Sequence, residues 1–303
     1  MDVQQLRIER RALAEFLPRA IAEFQRPPTG AEDRLRGFAS PAYREPSTTP
    51  LSVVENHGLR WYLPPHSDDD KFAGRMARGW LPVKEIAQSR VYERGGVMLD
   101  IGANVGTNCI PRIMLGDFKA AYCAEPEPQN YAALRETVKA NSLEGLVLPD
   151  RLAISDHDGE AGFLVKANGM ARHRLAGQST SEATVKVPVR RLDTWIEELG
   201  IDPADVTFVK SDCQGFDGKV LAGAERLLGL RRASWQIEYA PRLMAKAGTS
   251  HDWMCDFLSK HFTHFINTGG HTDFGLHPID ALREQLAYLV VSGSFTELVL
   301  LNR

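Results

Sequence analysis

Two acids and two glycines at the ends of neighbouring apolar runs form the clearest ligand-binding pattern in this chain. The segment VMLDIGANVGTN begins at Val97, so Asp100 ends an apolar run and Gly102 and Gly106 follow it. A second acid, Glu125, ends the next apolar run, AAYCAE. A loop with exposed backbone N–H groups, beside a carboxylate that accepts two hydroxyl hydrogen bonds, is suited to a nucleoside. These residues raise the question of which nucleotide is bound and whether chemistry is done with it.

Three classes of nucleotide compete for this glycine loop. A phosphate-binding P-loop requires GxxxxGK[ST], which the sequence lacks. A dinucleotide fingerprint requires GxGxxG, and the chain has Asn104 where the middle glycine would let the backbone approach a pyrophosphate. S-adenosylmethionine carries an ammonium, a carboxylate and a sulfonium, and these mixed charges suit an acid beside backbone N–H groups. The loop therefore favours this methyl donor over NAD, although Glu125 would bind the ribose of either ligand.

A second group of titratable residues follows two later apolar runs. Lys210 and Asp212 lie two residues apart in VTFVKSD, which places them on one face of a strand. Methyl transfer to an oxygen needs a group that aligns the acceptor and accepts its proton. Asp212 is the candidate for that role, or else an acid that fixes its loop, and Lys210 either pairs with it or acts on the acceptor hydroxyl. Glu238, near the end of SWQIEY, is a further acceptor contact or a buried structural acid.

The side chains that commonly bind metals are scattered along the sequence. Four histidines lie near the C-terminus at a spacing that matches no compact zinc pattern, namely His261, His264, His271 and His277. The four cysteines form no CxxC pair, namely Cys109, Cys123, Cys213 and Cys255. We predict no metal site, and we predict reduced cysteines that are mostly buried.

Strands alternating with helices are expected to position these residues. From Val97 onward, apolar runs of strand length alternate with amphipathic segments, which predicts an α/β fold with a mostly parallel sheet covered by helices on both faces. Ligands in such sheets bind at the carboxyl ends of the strands. Within residues 155–193, GEAGFLV and TVKVPVRRL are predicted as antiparallel strands that bracket the loop 166–183, a lid over the pocket or simply a solvated loop. Asp193 is predicted to N-cap the helix TWIEELG.

The segments before residue 96 are predicted to be extensions of this domain, which spans 96–303. Residues 1–50 combine an amphipathic helix with a proline-rich linker, and the apolar stripe of the helix is typical of packing on its own domain or on a second copy of the chain. Residues 51–95 form a β-hairpin in LSVVENHGLRWYL and a helical lead-in.

Composition argues against several partners. The net charge of −3 and the pI near 6.3 give no general attraction to nucleic acid. No apolar run approaches the length of a membrane span, and the charged N-terminus has no apolar core of a secretory signal. We therefore expect a cytoplasmic protein with no membrane or nucleic-acid partner.

Five blocks in a fixed order resemble the FkbM family of S-adenosylmethionine-dependent methyltransferases. The blocks are LDIGANVGTN, Glu125-Pro126 with the residues that follow, LAISDHDGEAGF, RRLDTW, and VKSDCQGFDGKVLAGAERLL. The similarity runs from about residue 51 to the C-terminus. It implies a class I methyltransferase (Rossmann-like) fold, with a seven-stranded sheet that has one antiparallel strand. It also implies O-methylation of sugars, polyketides or other secondary metabolites.

The resemblance assigns roles residue by residue. The donor-binding residues that it implies are Asp100, Gly102, Ala103, Asn104, Gly106, Thr107, Asn108, Glu125, Pro126, Ala153, Ile154 and Ser211. Lys210, Asp212 and Gly215 match the family block K-x-D-x-E-G-x-E, but Gln214 and Asp217 replace its two glutamates. Because an amide does not act as a base, this departure puts a catalytic acid at position 214 in doubt.

The sequence therefore predicts an S-adenosylmethionine-dependent O-methyltransferase that acts on a hydroxyl of a small molecule. The alternatives that stay open are a donor-binding module without catalysis and, less favoured, an NAD-dependent oxidoreductase.

Overall fold

The computed structural model describes residues 50–64, 72–164, 174–175, 184–269 and 275–303. The predictions for the N-terminal helix and linker, and for most of the loop 166–183, lie outside these residues. In the described part of the chain, no helix is long and apolar enough to cross a bilayer.

Fourteen strands and ten helices are assigned within the described residues, together with two short 3₁₀ turns. The strands are β1 (Ser52–Asn56), β2 (Leu59–Leu63), β3 (Val97–Ile101), β4 (Ala120–Ala124), β5 (Val147–Asp150), β6 (Ala153–Ser155), β7 (Gly159–Leu164), β8 (Arg174–Leu175), β9 (Thr184–Arg191), β10 (Val206–Ser211), β11 (Ser234–Tyr239), β12 (His264–Asn267), β13 (His277–Pro278) and β14 (Thr296–Leu301). The helices are α1 (Phe72–Ala77), α2 (Val83–Ser89), α3 (Cys109–Met114), α4 (Pro128–Ala140), α5 (Leu192–Glu198), α6 (Asp217–Ala222), α7 (Glu225–Gly229), α8 (Pro241–Lys246), α9 (His251–His261) and α10 (Leu282–Ser292).

The main sheet has eight strands in the order β13-β12-β14-β11-β10-β3-β4-β5. The five strands from β11 to β5 run parallel, and β14 lies antiparallel between β11 and β12. A mixed α/β sheet is therefore confirmed, but the predicted count of seven strands is wrong. The eighth strand, β13, has only two residues, and a run that short carries no periodicity in the sequence. Its Pro278 lacks an N–H and suits a sheet edge.

Helices cover both faces of this sheet, as predicted. Every residue of β3, β10 and β11 is buried, which explains why these segments are continuous apolar runs instead of alternating ones. One buried cluster packs α5, α6, α7, α9 and α10 against one face. A second cluster packs α1, α3 and α4 against the other face, the one that carries Met98 and Phe208.

A separate sheet in the order β6-β9-β7-β8 follows β5. The predicted antiparallel pair is confirmed, because β7 and β9 pair from Gly159↔Val189 to Leu164↔Thr184. The sequence LVLPDRLAI is divided between the two sheets. Its first part, β5, closes the main sheet, and its second part, β6, pairs with β9 instead.

The prediction that Asp193 N-caps the helix TWIEELG is wrong. The N-cap of α5 is Arg191, and Asp193 lies one residue inside the helix. Its carboxylate accepts hydrogen bonds from the backbone N–H groups of Arg226 (2.7 Å) and Leu227 (3.1 Å), in the first turn of α7. The acid therefore caps a helix that is distant in sequence, a partner that local spacing does not reveal.

The predicted hairpin before the main sheet is confirmed. β1 and β2 pair antiparallel from Ser52↔Leu63 to Asn56↔Leu59. The two turn residues, His57 and Gly58, both have positive φ (52° and 75°), as a tight two-residue hairpin turn requires. The hairpin packs on α4 and α1.

Candidate functional site

A pocket of about 1020 Å³, including its open mouth, lies at the carboxyl ends of β3, β4 and β10. It brings together most of the predicted donor-binding residues, namely Asp100, Gly102, Ala103, Asn104, Thr107, Asn108, Glu125, Pro126, Ala153 and Ile154. Two of the predicted catalytic residues, Lys210 and Asp212, line the same pocket. The location agrees with the rule that parallel sheets bind ligands at their carboxyl edge.

The two glycines of the loop have different neighbours. Gly102 has φ +76°, and a Cβ there would fall on the carbonyl oxygen of Asp212. Gly106 has φ +88° and does not line the pocket. A Cβ there would lie 2.6 Å from a methyl of Leu134. The first glycine lets the loop after β3 contact the loop after β10, and the second lets the donor loop pack on α4.

Asn104 stands where the middle glycine of a dinucleotide fingerprint would be. It has φ +53°, a conformation that asparagine tolerates better than most residues. Its backbone N–H donates to Glu125 Oε2 at 2.7 Å. That N–H is therefore already used, which disfavours a pyrophosphate at this point and with it the NAD alternative.

Glu125 is 4% exposed and faces the pocket. Its second oxygen, Oε1, accepts from the backbone N–H of Glu127 at 2.9 Å. Burial raises the pKa of this carboxyl to about 8, and the two backbone hydrogen bonds oppose the rise. Each oxygen keeps one lone pair, so an ionised Glu125 can still accept two hydroxyl donors from a ribose.

Asp100 is the least satisfied acid of the site. It is 1% exposed, and its Oδ2 has no hydrogen-bond partner in the protein. Burial raises the pKa of this carboxyl, while the nearby cation Lys210 acts to lower it. A buried acceptor without a partner, at the wall of a pocket, is the kind of atom that a cationic ligand satisfies. The residues present thus fit an S-adenosyl ligand, with Asp100 near its ammonium or sulfonium and Glu125 at its ribose.

Lys210 is a buried cation between two carboxylates. Its Nζ lies 3.4 Å from Asp212 Oδ2 and 3.7 Å from Glu297 Oε2. Burial acts to lower the pKa of this ammonium, but the carboxylates of Asp212 and Glu297 outweigh burial and raise it above its ordinary value. Lys210 is therefore a fixed positive charge and does not serve as a base. The side chain of Asp212 is 37% exposed and turns to the pocket, where it can meet an acceptor.

Besides Gly106, two further predicted site residues do not reach the pocket wall. Ser211 Oγ donates to Asp217 Oδ1 at 2.6 Å, so its hydroxyl is directed to α6. Glu238 is 7% exposed and lies opposite Glu297 in the sheet register. Burial first, and then the like charge of Asp212, raise the pKa of Glu238, so it holds its proton at neutral pH. Glu238 is not among the residues that line the pocket, and its role at the acceptor stays a prediction.

Several wall residues have no counterpart among the predictions. They are Trp80, Pro82, Asn130, Leu152, Phe163, Leu175, Cys213, Gln214 and Phe216. Trp80 and Pro82 precede α2 in the lead-in, where no motif points to a ligand. Phe163 and Leu164 are both buried at the end of β7, so no alternation of buried and exposed positions along this strand singles out Phe163. Gln214 Nε2 lies 3.4 Å from Asp212 Oδ1, and this places the amide in contact with the acid of the family block.

Buried polar groups behind the wall were also missed. Glu297 and Arg112 belong to no motif, because each reaches the site only through the folded sheet. Arg112 is fully buried, and its guanidinium donates to Asn108 Oδ1 (2.8 Å) and Ser89 Oγ (2.6 Å).

A cluster of potential metal ligands lies beneath the pocket. One atom each of Asp100, Cys109 and Cys123 lie within 4.8 Å of one another, and the two sulfurs are 3.4 Å apart. Burial raises the pKa of both thiols, so they are protonated near neutral pH and are poor ligands in that state. The cysteines are free and three of the four are buried, as predicted. The absence of a metal stays a prediction.

Comparison with known proteins identifies a family. A profile described as "Methyltransferase FkbM domain" matches residues 100–264. The 2-O-methyltransferase NoeI of Sinorhizobium fredii (strain NBRC 101917 / NGR234) is 29% identical over 147 residues, which cover 44% of this chain and 58% of NoeI. The chain therefore matches little more than half the length of that curated relative.

Two solved structures share part of the architecture at low similarity. Methyltransferase FkbM from Methylobacillus flagellatus KT has 16% identity and a TM-score of 0.43, over 68% of this chain and 43% of that one. Precorrin-6y C5,15-methyltransferase from Geobacter metallireducens GS-15 has 12% identity and a TM-score of 0.37, over 72% and 85%. At TM-scores below 0.5, neither supports a conclusion about ligand or reaction.

Proposed function

The chain belongs to the FkbM methyltransferase family, and from that premise we propose that it is an S-adenosylmethionine-dependent O-methyltransferase acting on a hydroxyl of a small molecule. The observation that carries the proposal is Asp100 Oδ2, a buried acceptor at the pocket wall without a protein partner. It lies one loop away from Glu125, whose oxygens keep free lone pairs for a ribose.

Different residues of the chain would bind different parts of the donor. Asp100 and the backbone of the loop 102–108 would bind the amino-acid end and the sulfonium side. Glu125 would hold the ribose, and Ala153 and Ile154 would pack against the adenine. When bound, the donor supplies an already activated methyl group, so the protein's task is alignment and exclusion of water.

Asp212 is the proposed acceptor-orienting group. Its carboxylate lies at the pocket wall and is the more exposed partner of the buried Lys210 in an ion pair. An ionised carboxylate accepts the hydrogen bond of an incoming hydroxyl and points an oxygen lone pair at the methyl carbon. As the new C–O bond forms and the C–S bond breaks, the hydroxyl proton would pass to Asp212 and then to solvent.

The similarity to NoeI supports oxygen as the acceptor atom, because NoeI is a 2-O-methyltransferase. A sugar or a secondary metabolite is the acceptor class that we propose. The negative net charge and the concave form of the site favour a small molecule over nucleic acid. Association with a second copy through the N-terminal segment is a further proposal, which the described residues leave untested.

Calorimetry with S-adenosylhomocysteine tests the donor site. We expect micromolar binding to the wild-type protein, and for Asp100→Asn at least about a 10-fold loss, since hydrogen bonds to charged groups contribute about 1.5–3 kcal/mol. Glu284→Gln on α10, an exposed carboxylate, is the matched control and should bind as the wild type does. No binding, or equal binding by Asp100→Asn, would contradict the proposal.

A binding module without catalysis is the second candidate, favoured by Gln214, whose amide sits at Asp212 where the family block has a glutamate. Mass spectrometry after incubation with S-adenosylmethionine and a panel of hydroxylated metabolites separates the two. A product heavier by one methylene supports the enzyme. Donor binding without turnover on any member supports the module.

A further inference from the structure

A row of polar side chains crosses the centre of the main sheet on the face that also carries Phe208. Asp100, Lys210 and Gln236 are register neighbours on β3, β10 and β11. One step further along, Glu238 on β11 is opposite Glu297 on β14. Burying polar and charged side chains costs free energy unless each has a hydrogen-bond or ionic partner. The partners of each side chain therefore indicate its role.

Glu297 is the part of this row that the proposed mechanism does not use. It competes with Asp212 for Lys210, because Nζ lies 3.7 Å from Glu297 Oε2 and 3.4 Å from Asp212 Oδ2. The side chain of Glu297 is 17% exposed, and the side chain of Lys210 is 3% exposed. Two carboxylates therefore share one buried ammonium, one facing the pocket and one behind it.

A chain of hydrogen bonds fixes the position of Glu297. Gln236 Nε2 donates to its Oε2 at 3.0 Å, and Arg112 donates to Gln236 Oε1 at 3.2 Å. The same guanidinium donates to Asn108 Oδ1, which lines the pocket at the donor loop. Hydrogen bonds therefore connect Glu297 to Asn108 at the donor side of the pocket. The shared Lys210 connects Glu297 to Asp212 at the acceptor side.

We propose that Glu297 is a positioning residue of the methyl-transfer site: by sharing Lys210, it leaves part of the negative charge of Asp212 available to the acceptor side of the pocket. The inference rests on the proposed function, since it concerns the acceptor side of that site. Without Glu297, the ammonium would pair with Asp212 alone and neutralise it.

The charge of Glu297 changes near neutral pH. Burial raises the pKa of its carboxyl to about 7, and Lys210 opposes the rise. The titratable groups that face it are Lys210 and Asp212 from the β10 side, Glu238 on β11, which is protonated, and Asp217 at the start of α6. Below about pH 7 Glu297 is neutral, and the ammonium of Lys210 pairs with Asp212 alone. Above about pH 7 Glu297 is charged, and the ammonium is shared between Asp212 and Glu297.

An amine analogue of the donor reports the charge on Asp212. In sinefungin, a carbon bearing an ammonium replaces the methylated sulfur, so its charge would lie where the methyl group is transferred. S-adenosylhomocysteine lacks this ammonium. The ratio of their dissociation constants, measured by calorimetry on the full chain from pH 5.5 to 8, therefore isolates the acceptor side. The pH response of the shared ribose site cancels in this ratio.

In the wild type, we expect the preference for sinefungin to rise by at least about five-fold through pH 7, given the strength of close charge pairs in partly buried sites. In Glu297→Gln the preference should stay at the low-pH value throughout, while the affinity for S-adenosylhomocysteine changes less than about two-fold, because the amide keeps the hydrogen bond to Gln236. Glu297→Asp should restore part of the rise. Glu284→Gln, an exposed control, should behave as the wild type does.

A flat ratio in the wild type overturns the inference without any variant, as does a rise that persists in Glu297→Gln. If S-adenosylhomocysteine binds normally in either case, the proposed donor site survives and only the role of Glu297 fails. If neither ligand binds the wild type, the proposed function fails, and this inference fails with it.

Discussion

Glu125 is almost fully withdrawn from solvent, and each of its carboxylate oxygens accepts one backbone N–H. These two bonds, one of them from Asn104 in the donor loop, fix the carboxyl group beside that loop before any ligand arrives. Burial nevertheless raises its pKa to about 8. At neutral pH the free protein therefore holds a proton on the group that is proposed to accept the ribose hydroxyls.

Binding at this residue should depend on pH. Because only the ionised Glu125 accepts two hydroxyl donors, the affinity for S-adenosylhomocysteine should rise as the pH increases from 6 toward 8 and level off above it. In Glu125→Gln the affinity at pH 8.5 should be lower by about 10-fold, with a smaller pH dependence. Calorimetry across this range checks both effects. A rise of equal slope in Glu125→Gln would assign the titration to another group.

At the scale of elements, the contact between the loops after β3 and β10 joins the donor side to the acceptor side. Gly102 makes it, because only the absence of a Cβ lets its backbone approach the carbonyl of Asp212. The backbone N–H of Asp212 also donates to the carbonyl of Ile101 at 3.0 Å. The donor loop and the acid at the acceptor side are therefore held in one fixed relation.

Gly102→Ala should disrupt this contact, and Gly95→Ala provides a matched comparison. Both glycines have positive φ (76° and 87°), but a Cβ at Gly95 meets nothing within 4 Å. Each variant should lose about 1 kcal/mol of unfolding free energy to backbone strain. Gly102→Ala should lose a further 1–3 kcal/mol or so, because the overlap with Asp212 forces a backbone shift. Denaturant unfolding of both variants measures the difference, and equal losses would mean that the loop contact is easily displaced.

At the scale of the whole molecule, folding buries several acids in and beside the main sheet. Burial raises the pKa of Asp217 to about 6, of Glu297 to about 7 and of Glu125 to about 8. In the unfolded chain these groups ionise near their ordinary values. Between pH 6 and 8 the native state thus binds more protons than the unfolded state does.

The stability of the donor-free protein should therefore fall as the pH rises from 6 to 8. Each native-state proton retained contributes a slope of up to about 1.4 kcal/mol per pH unit. Thermal unfolding at pH 6, 7 and 8 should show a decreasing Tm, and the decrease should be smaller in Glu297→Gln, which has lost one of these groups. A Tm that rises over this range would show that the buried acids are ionised in the native state.

The local patterns of the sequence were sufficient for the donor loop, most of the main sheet and the antiparallel β7–β9 pair. Asp100 is the penultimate residue of β3, Glu125 and Asp212 follow directly on β4 and β10, and the carboxyl ends of parallel strands meet at one edge. Their convergence on one pocket could therefore be predicted. The assignment of roles within that pocket stays a prediction.

Other features depend on where distant segments meet. Gly106, Ser211 and Asp193 were given roles from their neighbours in sequence, yet their actual partners are Leu134, Asp217 and the start of α7. The eighth strand, β13, was invisible for the same reason, since two residues become a strand only beside β12.

What the sequence by itself determined is the set of groups that can bind the ligand, because spacing along a strand decides which side chains share its end. Only the tertiary structure decided which charges surround them. Glu297 reaches Lys210 because β14 inserts antiparallel beside β11, and Arg112 reaches Gln236 because α3 covers that face. Electrostatic partners act through space, and the sheet order that brings them together is not encoded in any local period.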